Sequence, residues 1–162
     1  SWVGEKIGQT VLLPSDAEWE KAARGGLMLP SGKNPLPKRN YPWGNVFDKA
    51  KCNMKASGIE ETTPVGNYPY GASPYGVLDM AGNVWEWTRS LFKPYPYVAT
   101  DGREDPNPYA ADGSEELNGG RWHSLRGGSW WNQNEWGRCA TRLRKVPHFV
   151  DDIGMRLVVL PY

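Results

Sequence analysis

One segment of the chain spaces its apolar residues as a helix does. Trp19, Ala22 and Ala23 stand at i, i+3 and i+4 and make a narrow stripe on one face. Ser15-Asp16-Ala17-Glu18 in front of them reads as a capping box, in which the serine hydroxyl and the glutamate side chain each serve the other's backbone. Gly25-Gly26 ends the helix. Thr10-Val11-Leu12-Leu13-Pro14 is a short apolar strand stopped by its proline. Ser1 to Gly8 reads as the last turns of a helix whose beginning lies upstream. Later in the chain, Val84, Trp85 and Trp87 suit a buried strand following a turn at Gly82. Two more strands are expected from Trp122 to Trp130 and from Arg138 to Arg144. The run 153–159 is nearly continuous apolar and predicts a final strand covered on both faces. Between 27 and 75, seven prolines interrupt every candidate element. Aromatic residues nevertheless recur there, among them Tyr41, Trp43, Phe47 and Tyr68, which predicts ordered coil rather than linker. The pattern gives an α+β domain over residues 1–162, with few regular elements and long ordered loops.

Composition sharpens this picture. Gly 19 and Pro 14 make up about a fifth of the 162 residues, against roughly 12% in average usage. Nine Trp, eight Tyr and three Phe supply large apolar surfaces that a disordered chain lacks. The 19 basic and 18 acidic residues leave a net charge of +1, which argues against a nucleic-acid partner held by bulk charge. No apolar run is long enough to span a membrane. Cys52 and Cys139 lie far apart without a C-x-x-C pattern, so two small buried thiols are expected.

Several motifs together resemble one family. Leu13-Pro14-Ser15-Asp16-Ala17-Glu18-Trp19-Glu20-Lys21-Ala22-Ala23-Arg24-Gly25, Tyr41-Pro42-Trp43-Gly44-Asn45 and Gly76 to Trp87 stand in the order found in formylglycine-generating (sulfatase-modifying factor) proteins. Arg126-Gly127-Gly128-Ser129-Trp130 and Ile153-Gly154-Met155-Arg156 complete the set. The resemblance implies a C-type-lectin-like fold with a small twisted antiparallel sheet, long ordered loops and bound calcium. Family members begin well upstream of the first helix here. That predicts a sheet completed by a missing N-terminal segment or by a second chain.

The resemblance also sorts the candidate chemistry. Formylglycine generation needs two cysteines shortly after R-G-G-S to hold copper, a soft ion that takes thiolates. The nearest positions hold Asn132 and Gly137, so copper is not expected. Sulfoxide-synthase relatives use an iron-binding histidine triad, whereas this chain has only His123 and His148. For calcium, Asp79 and Glu86 flank the Gly82 turn and suit a hard cation. By resemblance Gly82 and Val84 add carbonyls, and a second site takes Asn53 and the carbonyl of Met54. Its further acidic ligand falls near Ala56-Ser57, where no carboxylate stands.

The segment 130–152 resembles the frame of the variable proteins of diversity-generating retroelements. Ser129-Trp130, Arg138-Cys139-Ala140, Arg142, Arg144, Pro147 and Ile153-Gly154 are its fixed positions. The slots between them mix aromatic, charged and amide residues without period 2 or 3.6, a binding-site composition. Trp131, Asn132, Asn134, Glu135, Trp136, Thr141, Leu143, Lys145, His148 and Phe149 are therefore the candidate ligand contacts. Two functions follow: a calcium-stabilised module that binds a protein or small ligand, or an oxidoreductase subunit whose metal ligands lie elsewhere.

Overall fold

Helix α2 (Asp16–Arg24) starts where its capping box places it. The Ser15 hydroxyl accepts the Glu18 N–H at 3.1 Å, and the Glu18 carboxylate accepts the Ser15 N–H at 2.7 Å. Gly25 closes the helix in the left-handed conformation, its N–H donating to the Lys21 carbonyl. Trp19 and Ala23 are wholly buried and pack with Met80 and Cys139. Replacing Ser15 by alanine removes one half of the box and is expected to cost about 1 kcal/mol. A thermal melt would then drop by roughly 2–4 °C.

The computed structural model describes residues 2–98, 100–104, 122–145 and 152–160. Before α2 come α1 (Trp2–Ile7) and β1 (Val11–Leu12); after it a small hairpin, β2 (Met28–Leu29) and β3 (Gly32–Lys33), interrupts the coil that the prolines predict. Single 3-10 turns at Lys49–Lys51, Lys55–Ser57 and Pro69–Gly71 order the rest of that coil. Its aromatics divide. Tyr41 is buried and stacks on Trp43, with ring centroids 5.4 Å apart, whereas Tyr70 is exposed.

The central sheet has four strands in the order β6-β5-β4-β7: β4 (Trp85–Leu91), β5 (His123–Arg126), β6 (Leu143–Lys145) and β7 (Ile153–Met155). β5 runs antiparallel to β4 and β6, but β7 pairs with β4 in parallel, so the sheet is mixed rather than antiparallel. The strands expected from Trp122 to Trp130 and from Arg138 to Arg144 shrink to β5 and β6. Gly127 and Gly128 take positive φ and end β5, and residues 138–142 run as turn and coil. The final strand expected over 153–159 is two strands. β8 (Val158–Val159) leaves the sheet after Arg156 and pairs antiparallel with β1. Met155 and Val159 are 64% and 50% exposed, so the two covered faces expected of this run are not found. Within the chain β1 supplies the partner of β8, and among the described strands β6 and β7 stand at the two edges of the sheet.

Loops supply much of the interior. Cys52, Met54 and Ala81 form a second buried cluster, with Trp43 and Phe47 against it. Polar residues line the middle of β4: Thr88 donates to the Ser124 carbonyl at 2.9 Å, and Ser90 accepts the Asp16 N–H at 2.8 Å. A hydrogen-bonded interior of this kind fixes one arrangement of loops where a purely apolar one permits several.

Candidate functional site

The loop after β5 carries most of the expected contacts, and its backbone is tied down at every turn. Trp130 N–H donates to the Asn83 carbonyl at 3.1 Å, and Lys55 N–H to the Asn132 carbonyl at 3.1 Å. The Tyr41 hydroxyl reaches the Asn134 carbonyl at 3.2 Å, and Cys139 N–H the Asn40 carbonyl at 2.7 Å. A 3-10 turn over Asn134–Gly137 leaves Trp131 and Trp136 at the surface, 59% and 37% exposed. Trp131 meets the edge of Trp130 at 5.5 Å, and the Lys55 ammonium lies 5.2 Å from its ring centroid. Trp136 stands edge-on to the buried Trp85 at 5.8 Å.

The other expected contacts fall into five groups. Glu135 is exposed on the same turn. Asn132 and Thr141 spend their side chains on the loop itself: Asn132 Oδ1 accepts the Ser129 N–H at 2.9 Å, and the Thr141 hydroxyl donates to the Glu135 carbonyl at 2.9 Å. Asn134 is half-buried, and its Oδ1 has no hydrogen-bond partner among the described residues. Leu143, half-buried, and Lys145 lie on the outer strand β6. His148 and Phe149 lie outside the described residues. Lys55 and Tyr41 belong to the site and escape the sequence reading, because they approach it from a distant loop.

Beneath this surface sits a buried charge cluster. The Arg126 guanidinium is wholly buried on β5. Its Nε donates to Asp16 and its other nitrogens to the Glu20 carboxylate at 2.8 Å and to the carbonyls of Cys139 and Thr141 at 2.9 and 3.2 Å. Arg142 approaches the second Asp16 oxygen at 2.8 Å, a charge contact rather than an aligned hydrogen bond. Burial works against the Arg126 charge, yet Asp16 and Glu20 outweigh it and hold its pKa above the ordinary value. Burial also pushes the Cys52 and Cys139 thiols up to about 12.

The loop 79–86 brings its expected ligands to one cavity of about 480 Å³, lined by Asp79, Gly82, Val84, Glu86 and Arg156 among others. The Glu86 carboxylate is buried and already engaged. Arg156 Nε and one terminal nitrogen contact its two oxygens at 2.5 Å, and the Trp19 indole N–H donates to it at 2.6 Å. Asp79 accepts the Gly66 N–H at 2.7 Å. Asn53 donates to Asn83 and to the Glu61 carbonyl, while its Oδ1 accepts the Ser57 hydroxyl at 2.9 Å. The Met54 carbonyl accepts the Ser57 N–H at 2.7 Å. These are hard oxygens of the type calcium takes. As placed, the Glu86 carboxylate, the Asn53 Oδ1 and the Met54 carbonyl are met by protein donors, and the guanidinium against Glu86 does not fit an ion at that carboxylate.

The sulfatase-modifying factor enzyme 1-like domain family matches residues 1–160. A serine/threonine-protein kinase pkn1 of Chlamydia caviae is 36% identical over 151 residues, which are 93% of this chain and 20% of that protein. The hercynine oxygenase of Mycolicibacterium smegmatis is 34% identical over 130 residues, 80% of this chain and 27% of that protein. The chain thus spans about a fifth to a quarter of the length of these relatives. Among solved structures, Treponema denticola variable protein 1 superposes with a TM-score of 0.70 at 24% identity, covering 94% of this chain and 49% of that one. That likeness establishes the fold. No helix among the described residues is long and apolar enough to cross a membrane.

Proposed function

The chain belongs to the sulfatase-modifying factor enzyme 1-like family, and from that premise we propose that it is a binding module presenting the 130–152 segment to a protein or small ligand. The observation behind this reading is the pair Trp131 and Trp136, exposed on a loop whose backbone is fixed by residues from four other parts of the chain. Exposed tryptophans held on a rigid support gain their energy from a partner, with little ordering cost when it arrives. The fold shared with a variable protein is consistent with a surface of this kind.

A peptide library displayed on phage supplies the test. Peptides selected on the wild-type protein should bind at least tenfold more weakly to the Trp131→Ala and Trp136→Ala proteins. The melting temperatures should barely move. Trp131→Ala is expected to cost under about 1 kcal/mol, and Trp136→Ala about 1 kcal/mol for its edge contact with Trp85. A loss of about 3–5 kcal/mol, as for a core aromatic, with peptide binding unchanged would make the segment core and end this reading.

The second reading is an oxidoreductase, or a subunit of one. The 34% identity to hercynine oxygenase favours it. Under it the metal ligands come from a separate segment or chain, since this one provides only His123, buried on β5, and His148. Oxygen consumption on adding iron or copper and a thiol substrate would support it. Calcium belongs to the first reading only if it displaces Arg156 from Glu86.

A further inference from the structure

We infer that Arg156 and Ser57 take the places of the two cations in this domain, so that its long loops fold and hold their shape without calcium. The inference is independent of what the 130–152 surface binds.

A structural ion in a loop does one physical job: it gathers carboxylate and carbonyl oxygens that would otherwise repel or stay unpaired. Arg156 does this job at the loop 79–86. Its guanidinium contacts both oxygens of Glu86 at 2.5 Å and donates to the carbonyls of Leu78 and Asp79 at 3.3 and 3.2 Å. One side chain on the segment after β7 therefore ties the start of the loop to its end. A planar guanidinium with five donors suits such a set, because it can meet a carboxylate bidentately and still reach neighbouring carbonyls. Its charge also balances that of Glu86, which is 5% exposed and would be costly to bury alone. Adding a divalent ion here would put two further positive charges against the guanidinium.

The second location has the same logic with neutral donors. By the resemblance an acidic ligand would fall near Ala56-Ser57, and there Ser57 sends its hydroxyl to Asn53 Oδ1 and its backbone N–H to the Met54 carbonyl. Those are the two oxygens an ion would need. A hydroxyl and an amide satisfy them without adding charge. Asn53 and Met54 are each 1% exposed, so an acceptor left unmatched there would be costly. The Glu86 carboxylate in the first set, and both Asn53 Oδ1 and the Met54 carbonyl in the second, are thus met by the protein's own hydrogens.

Calcium can reach the first set, because the cavity of about 480 Å³ borders Asp79, Glu86 and Arg156. The test is a thermal melt of the protein in millimolar EDTA and in millimolar calcium chloride, with calcium content read by equilibrium dialysis. The expected result is the same melting temperature in both, within about 1 °C, and no stoichiometric calcium retained. An ion bound a hundredfold above its dissociation constant would instead raise the melt by roughly 5–10 °C. Such a rise in the wild-type protein, or one calcium retained per chain, would overturn the inference. Arg156→Gln should melt lower than wild type and should respond to calcium, since Glu86 then lacks its cation. Ser57→Asp supplies the missing carboxylate and should gain a calcium-dependent rise. If Arg156→Gln fails to fold, the wild-type melt decides the question by itself.

Discussion

Replacing Arg126 by methionine is expected to cost about 3–5 kcal/mol, the largest loss of any single substitution considered for this protein. The side chain is wholly buried and holds three parts of the chain at once. It meets Asp16 and Glu20 of α2, the Tyr95 hydroxyl at 3.3 Å, and the carbonyls of Cys139 and Thr141. Methionine fills much of the volume but provides no donor. Among the described residues the Asp16 carboxylate, 1% exposed, would keep only its charge contact with Arg142, and the Cys139 and Thr141 carbonyls would lose this partner. The penalty comes from groups left buried and unmatched rather than from the strength of the original pair. A urea titration should therefore show a midpoint far below that of wild type. A second consequence separates this account from simple loss of packing. Residues 139–141 end the loop that presents Trp136, so hydrogen exchange there should speed up more than in the β1–β8 ribbon. Equal acceleration everywhere, or a loss under about 1 kcal/mol, would contradict the role given to Arg126.

Gly82→Ala is expected to cost about 2–5 kcal/mol, from two separable causes. Gly82 has φ +77°, where an L side chain pays roughly 1–2 kcal/mol. A Cβ at this position would also lie 2.2 Å from the Asn53 carbonyl oxygen. That neighbour is backbone, fixed by accepting the Asn83 N–H at 2.7 Å, so no rotamer change relieves the contact. Overpacking of this sort adds about 1–3 kcal/mol. Gly76→Ala is the control, because Gly76 has the same φ of +77° and nothing within 4 Å of its would-be Cβ. The difference between the two melting temperatures isolates the close approach. If both substitutions cost the same, the 53–82 contact plays no part in stability.

The two residues share a place in the design. Gly82 lets the 53–54 segment come against the 79–86 loop, and Arg126 fastens α2 to the segment after Trp136. Between them they fix the support on which the exposed tryptophans stand. The supporting contacts lie in loops, which explains how so little regular structure holds a surface in place.

What the sequence determined by itself is local. The capping box at Ser15 and Glu18, the stripe of Trp19 and Ala23, the stop at Gly25 and the turn at Gly82 all involve neighbours within a few residues, and spacing encodes such contacts directly. The irregular mixture at Trp131 to Trp136 was also legible as surface, because no core period orders it. Tertiary structure decided the rest. An apolar run such as 153–159 states that its residues seek cover but not which strand will provide it. It divides at Arg156 because that residue turns inward to Glu86, 70 positions away. The antiparallel sheet expected of the fold becomes mixed when β7 finds β4 rather than a neighbour in sequence. Asp16 and Arg126 lie 110 positions apart and look like two ordinary surface charges until the fold removes water from both. Charge is read from a sequence residue by residue, whereas burial is a property of the whole chain. Which charges become partners, and which oxygens are left for an ion, is therefore settled only when the chain has closed around them.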